Sequence, residues 1–153
     1  MKKLILILAS VFSLSFAADN EVDSGRFFWG NGVLSDTLAH MEWQDNVDGR
    51  TKNWDDAVKY CDALELNGKS DWRLPSLGEL TYAYKLKKKF HILRTDYYWS
   101  FSESISNSDE AWNIAFFYGD TYYNSKATKL YVRCVRGKEY EDFDVLNDLG
   151  NKE

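Results

Sequence analysis

The sequence predicts an α+β domain in which two helices pack on a small twisted antiparallel sheet and one disulfide bond closes the fold. Several stretches alternate bulky with small or polar residues, a pattern typical of strands. Two other stretches place helix-capping residues ahead of an apolar stripe. The chain contains two cysteines, and an even number in an exported protein favours a disulfide. Strands come first, then two helices, then further strands, which favours an α+β arrangement.

The first residues have the pattern of a signal peptide. Lys2 and Lys3 precede a short apolar run, and Ser15 and Ala17 supply small residues ahead of a cleavage site. We expect residues 1–17 to be removed, which leaves an exported protein of about 136 residues, enough for one core. The destination is the periplasm or the extracellular medium. The apolar run is too short to span a bilayer, so no membrane span is expected.

The composition is acidic and rich in aromatic residues. The formal charge is −5, and removal of Lys2 and Lys3 lowers it to −7. This charge disfavours nucleic acid as a partner. Six Trp, ten Tyr and nine Phe are too many for a disordered acidic chain. We therefore expect a packed domain that leaves some aromatic rings exposed for binding.

The first half of the domain predicts short strands followed by a helix. Strand and turn patterns run from Arg26 to Trp43. The first helix has Asn53 as a possible N-cap, two aspartates in its first turn and Gly68 as its stop. The apolar stripe of this helix places Cys61 on the inward face.

Cys61 and Cys134 are the two cysteines, and we expect them to form the disulfide. A loop of this length contributes about 4 kcal/mol on the chain-entropy model. A redox or metal-binding thiol pair is the less favoured alternative, because the chain has no C-x-x-C motif and neither cysteine has a histidine near it in sequence.

The start of the second helix is the most strongly determined point of the sequence. Pro75 fixes its own φ angle, and Ser76 with Glu79 forms the S-x-x-E capping box. Arg73 lies near the first turn, where Glu79 can meet it. Because Trp72 beside it is expected to be buried, we favour a structural ion pair for Arg73 over a ligand-binding arginine.

The remaining elements follow from periodicity. The second helix is expected from Leu77 to about Lys88. Strands are expected over residues 97–102, 111–118 and 130–135, with a turn at Gly119 between the last two.

Six motifs occur in order along the chain, and together they carry a resemblance to a known family. They are Trp43-Gln44-Asp45-Asn46, Trp54-x-x-Ala57-x-x-x-Cys61-x-x-Leu64, Gly68-x-x-Asp71-Trp72-Arg73-Leu74-Pro75-x-x-x-Glu79-Leu80, Tyr98-Trp99-Ser100, Ala111-Trp112 and Tyr131-Val132-Arg133-Cys134-Val135-Arg136. The set resembles the Lcl C-terminal domain family, the module that ends certain bacterial collagen-like adhesins, over about Gly32 to Gly137.

The family in turn resembles the C-type lectin-like and formylglycine-generating-enzyme folds. The resemblance therefore implies a C-type-lectin-like mixed fold over residues 26–137, with long loops that carry binding. It leaves a disordered N-terminus at 18–25 and an acidic tail at 138–153. The chain has no Gly-X-Y repeat, so trimerisation through a collagen stalk is not implied.

The first predicted binding surface is a basic run in this acidic protein, and it consists of Lys85, Lys87, Lys88, Lys89 and Arg94. Lysines supply point charges and arginine a bidentate fork, which suits a sulfated or carboxylated polysaccharide. The alternative is that these cations favour the helix dipole and keep the domain soluble. The sequence supports both interpretations equally.

The second predicted surface consists of Tyr122 and Tyr123 beside the turn at Gly119, where tyrosine rings can stack on sugars. With the basic run, they predict an exported, non-catalytic, lectin-like domain that binds a glycan or polyanionic polysaccharide in adhesion. The alternative is a module that binds an envelope protein through the polar loop 103–109 and the acidic tail.

Catalysis and cofactors find little support in the sequence. His40 and His91 are far apart, and no metal-binding histidine spacing occurs. We therefore expect neither enzyme activity nor a cofactor. Calcium is a minor alternative, because the loop from Asp45 to Gly49 clusters oxygen ligands, although it lacks the order of an EF-hand. We favour a loop closed by its own Asx hydrogen bonds.

Overall fold

The computed structural model describes residues 25–140. The predicted signal peptide (1–17), the predicted disordered N-terminus up to residue 24 and the tail from residue 141 lie outside the described residues and stay predictions. Within the described part, the two helices are α1 (Trp54–Asp62) and α2 (Leu77–Lys85), with a 3-10 turn at Lys87–Lys89. The strands are β1 (Phe27–Gly30), β2 (Val33–Asp36), β3 (Met41–Gln44), β4 (Tyr97–Glu103), β5 (Glu110–Ala115), β6 (Thr121–Ser125) and β7 (Val135–Gly137).

These strands form two small antiparallel sheets, so the α+β class is confirmed. One sheet has the order β1-β2-β3-β7 and the other the order β4-β5-β6. In the first sheet, β7 pairs antiparallel with β3 and forms an edge of the sheet, and Trp43 lies opposite Val135. Among residues 25–140, no helix is long and apolar enough to cross a membrane.

Two clusters of buried side chains fill the domain. The first lies under α2 and includes Leu80, Leu86 and Phe90. The second lies between α1 and the β4-β5-β6 sheet and includes Trp99 and the disulfide cysteines. That disulfide joins Cys61 to Cys134, as predicted.

The first helix begins where the sequence predicted and ends earlier. The Asn53 side chain accepts a hydrogen bond from the Asp56 backbone N–H at 2.8 Å, so the N-cap is confirmed. The helix ends at Asp62 and not at Gly68. Asn67 and Gly68 both have positive φ angles and form a separate tight turn, which their tolerance of that region allows.

The second helix carries the predicted capping box, with Ser76 and Glu79 bonded to each other in both directions. It ends at Lys85, and a 3-10 turn replaces its expected last residues. Tyr82, within this helix, is buried. Its hydroxyl donates to the buried Asp36 carboxylate, and this partner makes burial of the hydroxyl favourable.

The last strands differ most from the prediction. β5 ends at Ala115 and not at residue 118, because the chain turns and the Gly119 N–H donates to the Ala115 carbonyl at 2.7 Å. β6 was not predicted, since its residues are largely exposed and show no apolar alternation. The strand expected at 130–135 exists only as isolated bridges at Leu130 and Tyr131, ahead of β7.

Candidate functional site

The β4-β5-β6 sheet presents a face whose outer end is open to solvent. Strand alternation places Tyr97, Asn113, Tyr122 and Asn124 on this face. In the register, Asn113 lies opposite both Tyr122 and Trp99. Trp99 is fully buried, whereas Tyr97 and Tyr122 keep 40% and 42% of their surface exposed. The outer end of the face is therefore available to a ligand.

A pocket of about 330 Å³ lies at this outer end, and we call it the tyrosine pocket. Its lining residues are Tyr97, Tyr122, Tyr123, Asn124, Thr128 and Leu130. The rings of Tyr97 and Tyr122 meet edge to face, with centroids 5.7 Å apart. Leu130 packs on the core cluster that holds the disulfide. The pocket thus combines aromatic and aliphatic surface with amide and hydroxyl groups.

Asn113 organises the polar side of the tyrosine pocket. It is fully buried, and its Nδ2 donates to Asn124 Oδ1 at 2.9 Å. Within residues 25–140, Asn113 Oδ1 has no hydrogen-bond partner, and Asn124 Nδ2 makes no hydrogen bond to another residue. Because Asn124 Oδ1 is already used as an acceptor, its Nδ2 is the group that remains for a ligand.

Tyr122 and Tyr123 were predicted together, and both line the tyrosine pocket, but their rings lie on opposite faces of the sheet. Successive strand residues point to opposite faces. Tyr123 lies opposite Trp112, and their rings are 5.3 Å apart on the other face of the sheet. Tyr122 instead joins Tyr97, which the sequence prediction omitted from the site. Tyr97 lies two strands from Tyr122 in the sheet and twenty-five residues from it in sequence, so no local sequence pattern connects the two.

A carboxylate borders the tyrosine pocket. The pKa of Tyr122 is raised above its ordinary value by partial desolvation and by the negative charge of Asp120. Tyr97 and Tyr118 contribute in the same direction. The Tyr122 hydroxyl therefore lies within the influence of the Asp120 carboxylate.

The predicted basic run does not converge on one point. Lys87 extends over the Tyr84 ring, with Nζ 4.2 Å from the centroid. Lys89 extends over Phe27, at 5.3 Å, and Lys85 is half-buried at the end of α2. Lys88 is the exposed lysine of the run. Lysine stems and cations that cover the protein's own aromatic rings are partly used by the fold.

Arg94 lies beside a different segment. Its backbone N–H donates to the Tyr98 hydroxyl at 3.0 Å, and its guanidinium group lies next to Gly49 in the loop after β3. Arg94 is exposed. It remains a prediction as a ligand-binding residue.

The motif around Pro75 forms a structural network. Both guanidinium nitrogens of Arg73 donate to the Glu79 carboxylate, at 2.6 and 2.8 Å. That carboxylate is fully buried and also accepts from the Ser76 and Tyr140 backbone N–H groups. Trp72 and Pro75 are buried beside it, as part of the packing between the two halves of the domain.

A second buried network was missed by the sequence prediction. Arg133 is fully buried, donates to the Gln44 and Ile92 carbonyls and stacks 3.9 Å from the Phe90 ring centroid. Burial lowers its pKa, although nearby Asp45 opposes that effect. Strand alternation gave no reason to expect an arginine on an inward face.

The loop that could have bound calcium uses its carboxylates within the protein. Asp45 is buried and accepts hydrogen bonds from the His91 backbone N–H at 2.9 Å and from the Ile92 N–H at 3.3 Å. Asp48 accepts from the Arg50 N–H and pairs with Lys52. Across residues 25–140, no group of three or more acidic, histidine or cysteine side chains is arranged to hold a metal ion.

Comparison with known proteins agrees with this architecture. The family model described as the Lcl C-terminal domain matches residues 32–136, almost the whole segment over which the motifs show the resemblance. No curated protein matches the sequence. The matched segment includes both helices, the disulfide and six of the seven strands found between residues 25 and 140 wholly or in part. The chain belongs to the Lcl C-terminal domain family.

Proposed function

We propose that this protein is an exported, non-catalytic carbohydrate-binding module whose ligand occupies the tyrosine pocket. Membership of the Lcl C-terminal domain family supports a module of an extracellular protein. The observation that carries the proposal is the pairing of two half-exposed tyrosine rings with an unused amide donor in one pocket of about 330 Å³. Export is supported by the signal-peptide pattern and by the disulfide.

The chemistry of the pocket suits a sugar. A pyranose ring offers an apolar C–H face that tyrosine rings can cover, and hydroxyl groups that amides and hydroxyls can bind. Tyr97 and Tyr122 provide the aromatic surface, and Asn124 and Thr128 provide hydrogen-bonding groups. Binding sites that combine apolar walls with a few fixed polar groups are typical of small-molecule recognition.

The non-catalytic part of the proposal rests on the chemistry of the described residues. Both cysteines are committed to the disulfide. His91 pairs with Asp45, its Nδ1 2.8 Å from the carboxylate. Among residues 25–140, no serine, threonine or cysteine side chain hydrogen-bonds to this pair. We accordingly propose neither a reaction nor a cofactor.

A protein partner is the second candidate, and one observation favours it. Ile105, in the loop between β4 and β5, is completely exposed. An isoleucine that contacts no other side chain contributes nothing to the fold and gains most from burial against a partner. This loop lies within the polar segment 103–109 that the sequence analysis singled out.

A glycan array tests the proposal. The oxidised mature domain is applied with calcium and with a chelator, beside a Tyr122→Ala variant and a Phe28→Ala control that removes an exposed aromatic ring from β1, in the other sheet. We expect glycan binding that Tyr122→Ala loses and Phe28→Ala keeps. Absence of binding to any glycan would refute the carbohydrate proposal, and a partner retained by wild type and lost with Ile105→Ser would favour the second candidate.

A further inference from the structure

We infer that the tyrosine pocket selects an uncharged sugar residue and that Asn124 Nδ2 is its principal hydrogen-bond donor to that residue. This inference rests on the proposed carbohydrate function and specifies its ligand. The ligand differs from the polyanion that the basic run suggested, because the inference depends on the charges and hydrogen bonds of the tyrosine pocket, which is a different surface.

The electrostatics of the pocket oppose an anionic ligand. Its six lining residues are all uncharged. None of them supplies a cation that could neutralise a bound anion, and Asp120, two residues before Tyr122, acts electrostatically on the Tyr122 hydroxyl. A sulfate or carboxylate on the sugar would meet this negative charge without a compensating cation in the lining. Like charges at close range disfavour binding, and they do so most where water is excluded.

The hydrogen bonds fix which way the Asn124 amide points. Asn113 is held between β4 and β6 with no exposed surface, and its Nδ2 donates to Asn124 Oδ1. The amide oxygen of Asn124 is thereby turned toward the sheet, and its Nδ2 is left for the ligand. Asn113 is a positioning residue here, since it acts through Asn124. A sugar hydroxyl, ring oxygen or acetamido carbonyl supplies the acceptor that Nδ2 requires.

The test compares two sugars that differ in one substituent. Wild-type protein is titrated with methyl glucoside and with methyl glucuronide, which carries a carboxylate in place of the hydroxymethyl group, and the Asn124 side-chain amide resonance is followed. We expect the glucoside to shift this resonance and the glucuronide to bind at least about tenfold more weakly. The glucoside affinity should not change between about 0.05 and 0.5 M NaCl.

Two variants sharpen the result. Asn124→Asp keeps the size of the side chain but replaces the donor with a carboxylate, and it should reduce glucoside affinity at least about tenfold with an unchanged melting temperature. Asp120→Asn should reduce the difference in affinity between glucoside and glucuronide, because it removes the negative charge near Tyr122 and keeps the size of the side chain.

The outcomes separate the inference from the function on which it rests. Stronger binding of the glucuronide, weakened by salt, would overturn the neutral-sugar inference and leave a carbohydrate-binding protein. Full glucoside affinity in Asn124→Asp would overturn the assignment of the donor. Binding of neither sugar, together with an array without any positive glycan, would remove the proposed function itself.

Discussion

Two surfaces of this domain carry side chains suited to a glycan, and they use those side chains differently. In the basic run, Lys87 and Lys89 extend over aromatic rings of the protein itself. In the tyrosine pocket, Tyr97 and Tyr122 retain exposed rings. Asn124 Nδ2 makes no hydrogen bond to another residue within 25–140. For locating a binding site, a run of similar residues in the sequence is therefore less informative than a few different residues that strand pairing brings together.

The two surfaces also rest on different parts of the core. Beneath the basic run lies the cluster with Leu86 and Phe90, whose described members include no disulfide cysteine. The tyrosine pocket adjoins the cluster with Trp99 and Leu130, which contains the disulfide. Rigid support favours a binding site, because a ligand then does not have to order the groups that hold it.

Removal of the disulfide should have the largest effect. The double variant Cys61→Ala with Cys134→Ala should lower the free energy of unfolding by about 4 kcal/mol, since the bond closes a long loop in the unfolded chain. Denaturant titration measures this loss. If the disulfide supports the tyrosine pocket in particular, hydrogen exchange should rise more at Trp99 than at Leu86. An equal rise at both positions would contradict the distinction between the two supports.

A smaller effect is expected at the point where the two regions meet. Gly119 has a φ angle of +89°, and a Cβ atom there would overlap the Tyr84 ring. That ring is held by a hydrogen bond from its hydroxyl to the Tyr118 carbonyl at 2.9 Å. Gly119→Ala should therefore cost about 2 kcal/mol in thermal or denaturant unfolding.

Gly30→Ala is the matched control for that change. A Cβ atom at Gly30 would have no neighbouring heavy atom within 4 Å. Its substitution should therefore leave the free energy of unfolding almost unchanged. Similar stability of the two variants would show that the contact between Tyr84 and Gly119 does not hold the β5–β6 turn against α2.

The smallest effect is a dependence on alkaline pH that arises in the core beneath the basic run. The pKa of buried Tyr82 is raised above its ordinary value, first by desolvation and then by its hydrogen bond to Asp36. The folded protein thus keeps a proton that the unfolded chain releases near pH 10. The contribution of Tyr82 to the free energy of unfolding is therefore fully present below that pH. Above it, the free energy of unfolding should fall by about 1.4 kcal/mol per pH unit.

Denaturant midpoints measured from about pH 8 to 11, the range in which tyrosines titrate, give this slope. Tyr82→Phe removes the titrating group and should flatten the slope, although it leaves Asp36 with one partner fewer and lowers stability at neutral pH. An unchanged slope in Tyr82→Phe would assign the alkaline loss to other groups.

The features that the sequence predicted well depend on residues close together in the chain or on a single pair of residues. The capping box of Ser76 and Glu79 depends on residues three apart, and the bond between Cys61 and Cys134 follows from there being two cysteines in an exported chain. Both are decided by chemistry that a short pattern expresses. The family resemblance had the same origin, in motifs that recur in order.

What the sequence did not predict depends on contacts between distant segments. β6 has exposed residues on both faces, so it carries no apolar period. The buried position of Arg133 depends on carbonyl groups of Gln44 and Ile92, far from it in sequence. Tyr97 joins Tyr122 only through the β4-β5-β6 register. The sequence prediction therefore named Tyr122 and Tyr123, two of the six residues that line the tyrosine pocket, and did not name Tyr97 or Asn124.

Chemical-shift mapping of the ¹⁵N-labelled domain with methyl glucoside tests the central claim most directly. We expect the amide shifts to be largest at Tyr97, at Tyr122 to Asn124 and at residues 128–130, with little change from Lys85 to Lys89. A shift pattern centred on the lysines, with the tyrosine pocket unchanged, would contradict it and return the binding site to the basic run.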